Sequence, residues 1–169
     1  MRLLQAVRLD ATDERVFPAA AAAGEWLVPA GALWAGVDPA RLDRKTRLAF
    51  RAGFLGIESF GFASFARAAP IEPAAFAALR PRLAEGLLAR AGAPHRPAAD
   101  AAAAAFLEDS ASLARDLPAS ALLAIERWVD PQTGELRERL RKLEAPPGLH
   151  ARVFEIVGAE DADETPEPR

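Results

Sequence analysis

The chain has 169 residues, 41 of them alanine, with no cysteine, two histidines and a formal net charge of −3, a length that allows one domain with a substantial core. Without cysteine there are no disulfides, thiolate nucleophiles, iron–sulfur ligands or thiolate zinc sites. The acidic balance argues against broad nucleic-acid binding, and no apolar run approaches the roughly 18 residues of a membrane span, so neither nucleic acid nor membrane is an expected partner.

The N-terminus meets Gln5 and Arg8 before a hydrophobic stretch can form, which makes a poor signal peptide and points to a cytoplasmic protein. Leu3, Gln5, Val7 and Leu9 alternate with Leu4, Ala6 and Arg8, the period of a strand, and a turn is expected at 10–13. Residues 24–29 and 32–35 are short apolar runs bracketed by Gly and Pro, read as two more strands or a hairpin that bury Trp26 and Trp34. Asp38-Pro39 is a capping residue followed by a first-turn proline. It opens a helix with Leu42, Thr46, Ala49, Phe50, Gly53 and Phe54 at helical spacing, ended by Gly53 or Gly56.

From 57 to 66 the phenylalanines fall on both sides of a period-two alternation, which predicts a central strand covered on both faces. A helix from Pro73 carries Phe76, Leu79, Leu83 and Leu87, with Pro81 expected to kink or restart it. The loop 91–97 separates it from a helix over 98–116 with Ala102, Phe106, Ser110 and Leu113 on one stripe. Residues 122–129 and 135–143 flank Asp130-Pro131-Gln132-Thr133-Gly134, a hairpin signal. A four-residue loop there puts Glu126 opposite Arg137 and Leu123 opposite Leu140; the competing pattern makes Leu136, Leu140 and Leu143 a helix stripe. Residues 149–157 alternate as a last strand, and 159–169 form an acidic tail without the apolar residues needed for order. The sum is one α+β domain over 1–158, an antiparallel sheet of about six or seven strands with three helices packed on it.

No catalytic constellation emerges. Gly53, Gly56 and Gly61 have neither the dinucleotide nor the P-loop spacing, and their structural reading is that Gly56 supplies a turn and Gly61 lets a helix or a second backbone approach closely. Glu58 stands between Ile57 and Phe60, where desolvation would raise its pKa. With Ser59, Gly61 and an arginine such as Arg51 it defines the expected ligand pocket, against the commoner role of a solvated or ion-paired carboxylate. His95 and His150 stand alone beside proline-rich loops, so no metal or cofactor is expected. Arg137, Arg139 and Arg141 align on one face of a strand, fit to hold an anion or an acidic partner, or simply to solvate the sheet.

The segments Asp13-Glu14-Arg15-Val16-Phe17, Gly24-Glu25-Trp26 and 50–65, with Gly134-Glu135-Leu136-Arg137-Glu138 and Leu149-His150-Ala151-Arg152, resemble a family of short proteobacterial proteins of unknown function. The resemblance implies no catalytic residue, substrate or cofactor. It implies a bacterial accessory protein, and the sequence as a whole points to a non-catalytic interaction or maturation factor for a larger enzyme with a protein partner. The alternative is a small-molecule-binding protein or enzyme with a pocket near Glu58 and Ser59.

Overall fold

The computed structural model describes residues 1–144 as strands β1 (Arg2–Val7), β2 (Trp26–Val28), β3 (Phe54–Gly56), β4 (Phe62–Ala63), β5 (Phe65–Pro70), β6 (Ala121–Val129) and β7 (Leu136–Glu144), with helices α1 (Thr12–Val16), α2 (Arg44–Ala52), α3 (Pro73–Arg90) and α4 (Arg96–Arg115). Among these residues the sheet is antiparallel throughout, in the order β4-β3-β2-β1-β5-β6-β7. The expected α+β class and single sheet are present, and the hairpin over β6 and β7 displaces the helical alternative. The anticipated strand at 149–157 and the tail at 159–169 lie outside the described residues.

The sheet curls into a ring at one end. β4 pairs with β3 while β5, one residue later in the chain, pairs with β1 on the far side of β2. The chain is bent at Ser64, whose N–H and hydroxyl donate to the buried carboxylate of Asp13 at 3.2 and 2.6 Å. Asp13 belongs to α1, a five-residue helix where the sequence predicted only a turn.

Period-two alternation then divides the apolar residues between two faces. Leu4, Leu27, Phe54, Ala66, Leu123 and Ile125 form an inner cluster. Leu3, Val28 and Leu55 point outward and pack with Leu79, Leu83, Leu87, Phe106 and Leu107 of α3 and α4. Ser110 of α4 joins β1 to β2, donating to the Leu27 carbonyl at 2.7 Å and accepting from Leu4 N–H at 3.3 Å.

Three local expectations are corrected, and of the two outcomes expected at Pro81 a restart does not occur. Residues 57–66 are not one central strand: a tight turn at 57–61 returns the chain as the short terminal strand β4, and only β5 is central. Residues 32–35 lie in a 3₁₀ turn, Gly31–Trp34, entered through Ala30 at φ 53°, and Trp26 and Trp34 are half-buried. Asp38 caps only the 3₁₀ turn Pro39–Arg41, after which Asp43 starts α2 by accepting from Lys45 and Thr46 N–H at 2.9 and 3.1 Å. α3 runs unbroken past exposed Pro81, anchored by buried Leu79 and Leu83 on either side of it.

The β6–β7 register is two residues from the expected one. Val129 pairs with Leu136, and the loop closes through Asp130 N–H to the Glu135 carbonyl and Gly134 N–H to the Asp130 carbonyl, both 2.8 Å. Glu126 therefore meets Arg139, and Leu140 meets Ile125. A shift of two leaves every side chain on its expected face.

Candidate functional site

Glu25 builds the turn at 57–61. It is 9% exposed, and its carboxylate accepts from the N–H groups of Ala22, Glu58 and Ser59 at 2.8, 2.9 and 2.7 Å and from the Ser59 hydroxyl at 2.8 Å. These four donors offset the cost of burying the carboxylate. Ser59 Oγ in turn accepts from Gly61 N–H at 2.9 Å. A side chain at Gly56 would put its Cβ 2.5 Å from Glu25 Oε1, and one at Gly61 would lie 2.5 Å from the Ala20 carbonyl carbon. Close backbone approach, as the sequence suggested for Gly61, is the role of that glycine.

The turn is pinned to α3. Arg82 forms an ion pair with Glu58, and Arg90 donates to the Ser59 carbonyl at 2.7 Å while lying 5.6 Å from the Phe60 ring centroid. Phe60 has φ 55°, a left-handed conformation uncommon for a bulky residue. Its ring occupies the space above Gly86, where a Cβ would fall 1.9 Å from a ring carbon. Two grooves border this turn. One, of about 420 Å³, lies between Ile57, Glu58 and the α3 residues Arg82, Glu85 and Arg90. The other, of about 350 Å³, is walled by Leu33, Trp34, Leu55, Phe60 and Phe62 with Arg90 at its edge.

Glu58, Ser59 and Gly61 are thus brought together, but Glu58 is exposed and ion-paired, so the desolvation expected of it does not arise. The Ser59 hydroxyl is committed to Glu25 and Gly61. Arg51 stands elsewhere, on α2, where its charge acts on Glu126. The cations at the turn are Arg82 and Arg90, which sequence reasoning missed. The available signal was Gly86, a glycine inside a helix with an arginine four residues to each side.

A second cluster lies on the outward face of the β6–β7 hairpin. Arg137, Arg139 and Arg141 do share one face, opposite Trp128, Glu126 and Ala124. All three arginines are exposed, as is Trp128 at 40%. Arg139 donates to Glu126 through Nε at 3.2 Å and lies 5.9 Å from the Trp128 ring centroid. That hydrogen bond, then the charges of Arg139, Arg141 and Arg51, hold the Glu126 carboxyl below its ordinary pKa. Arg137 pairs with Glu135 at 2.9 Å and with Asp130 at 3.8 Å. Register carries the same face onto β5, where Phe65 pairs with Ala124 and Arg67 holds Gln5 at 2.9 Å.

On the inward face of the hairpin, Arg127 is 1% exposed and donates to the carbonyls of Phe50, Gly53 and Pro29 and to Glu138 at 2.7 Å. Burial pushes its pKa down and Glu138 opposes that shift. Its role is to tie β6 to the C-terminus of α2 and the end of β2.

Among the described residues no group of three or more His, Cys, Asp or Glu side chains could hold a metal ion, and no helix is long and apolar enough to cross a membrane. His95 caps α4, its Nδ1 accepting from Ala98 N–H at 3.2 Å, and His150 lies outside the described residues. No curated protein and no solved structure matches the chain. A family model does match over residues 1–161, and the chain therefore belongs to a family of unknown function, DUF6505.

Proposed function

We propose that this protein is a non-catalytic bacterial accessory protein that docks an acidic segment of a protein partner on the outward face of β5, β6 and β7. One observation carries the proposal. At the strand positions of this face, four arginines (Arg67, Arg137, Arg139 and Arg141) accompany one carboxylate, Glu126, with Asp130 and Glu135 of the hairpin loop on Arg137, on a chain whose net charge is −3. Exposed Trp128 and Leu143 add apolar anchors among the guanidinium groups. Tryptophan and arginine are the residue types most often responsible for interface affinity, and arginine accepts carboxylates in bidentate geometry.

The test is a quantitative affinity purification from the native host under mild salt. The wild type is compared with Arg139→Glu, with Trp128→Ala, and with Arg80→Glu on α3 as a control. A partner whose recovery drops on the order of tenfold with both face variants and with rising salt, but not with the control, supports the proposal. A partner retained equally by all four, or no specific partner from the wild type, contradicts it.

A further inference from the structure

The protein has a second feature with no part in the outward face. Among the described residues, two that are not glycine adopt left-handed backbone conformations: Ala30 at φ 53° and Phe60 at φ 55°. Phe60 lines a cavity, and the turn that begins after Ala30 contributes Leu33 and Trp34 to the same one. Backbone strain of this kind persists only where surrounding contacts enforce it, and it gathers at ligand sites. For Phe60 the enforcement is explicit: Glu25 holds the turn before it with three hydrogen bonds, and Gly86 clears the space for its ring.

From this we infer that the cavity is a binding site for a small monocarboxylic acid with an aromatic or alkyl body. The volume of about 350 Å³ suits a small organic molecule. Trp34, Phe60 and Phe62 present ring surface, with Trp34 and Phe62 centroids 6.1 Å apart, and Leu33 and Leu55 complete an apolar lining. Among the described residues Arg90 is the one charged side chain on the wall. It spends a hydrogen bond on the Ser59 carbonyl and has further donors in its guanidinium fork for a carboxylate. Arg90 also lines the neighbouring groove, where the acidic residues are Glu58 and Glu85 and Glu58 is held by Arg82; neither carboxylate lines the apolar cavity. An apolar chamber with one fixed cation at its rim selects an amphipathic anion over a neutral or polyanionic one.

The test is an NMR titration that follows the Trp34 indole N–H, assigned with Trp34→Phe. The probes are phenylacetate, 3-phenylpropionate and octanoate, with phenylacetamide as the uncharged control. The expected result is a saturable shift of Trp34 with at least one of the acids. Phenylacetamide should bind at least about tenfold more weakly than phenylacetate, and Arg90→Gln should lose affinity by a similar factor. Because Arg90 also braces the turn, Leu33→Trp serves as a second variant that fills the cavity without removing a polar contact, and it should abolish the shift. The inference is overturned by no saturable shift up to about 10 mM acid, by equal affinity for acid and amide, or by unchanged binding in Leu33→Trp.

Discussion

Arg127 is a buried charge that ties the sheet to the segments around it. Its guanidinium replaces water at three backbone carbonyls from two separate segments, and Glu138 on β7 balances its charge. Removing one partner of a buried, hydrogen-bonded charge leaves the others unpaired, so Arg127→Met is expected to destabilise by about 3–5 kcal/mol in urea unfolding. A change within about 0.5 kcal/mol would show that these carbonyls are readily solvated. A second prediction concerns Phe60 and Gly86. Gly86→Ala should cost about 1–3 kcal/mol in the wild type through overpacking against the ring. In a Phe60→Gly background the same change should be neutral or stabilising by up to about 1 kcal/mol, because alanine is the better helix former. Equal costs in the two backgrounds would disprove the contact. Neither residue was legible as special in the sequence. Arg127 shares the parity of inward, apolar Leu123 and Ile125, but the three carbonyls it serves lie more than 70 residues away in the chain.

Elements were legible to the extent that their stabilising contacts are local. The long helices α3 and α4 showed their apolar stripes, and the β6–β7 hairpin was announced by Asp130-Pro131 and Gly134, with every face correct despite the register shift of two. The turn at 57–61 was not legible because its organiser, Glu25, lies 33 residues from Glu58 in the chain. Without that carboxylate, an alternation of glycine and phenylalanine reads as a continuous strand. The start of α2 misled for a different reason. Two aspartates five residues apart both cap, Asp38 a single 3₁₀ turn and Asp43 the helix.

The Asp43 cap has a pH signature. The Thr46 hydroxyl, then the Thr46 N–H, hold its carboxyl below the ordinary range. A group whose pKa is depressed on folding contributes stability above its unfolded pKa, about 3.9 for Asp, and loses it as pH falls through the lower folded value. Asp43→Asn does not titrate. The melting-temperature advantage of the wild type over this variant should therefore be present near neutrality and shrink in acid; a difference independent of pH would contradict this account of the cap.

At the scale of the molecule, the ring formed by β1, β2, β3 and the bent β4–β5 segment is what separates the two candidate sites. The ring and α3 hold the strained turn and its cavity, while the β6–β7 hairpin extends the sheet and turns its arginines to solvent. The α+β class and the arginine face were legible from alternation alone. The cavity was not, because it is assembled from the Gly31–Trp34 turn, β3, β4 and the end of α3, which no sequence spacing relates. The two sites can fail independently: loss of docking by face variants leaves the cavity intact, and filling the cavity leaves the face intact.

The central claim is that the outward face of β5, β6 and β7 receives an acidic protein segment. The most direct measurement is site-specific photo-cross-linking in the native host, with a benzophenone amino acid in place of Trp128, Arg141 or, as a control on α3, Arg80. The account predicts that the Trp128 and Arg141 positions capture the same acidic segment of one protein, identified by peptide mass spectrometry, and that the Arg80 position does not. Cross-links of equal yield from all three positions, or none from Trp128 and Arg141, would contradict it.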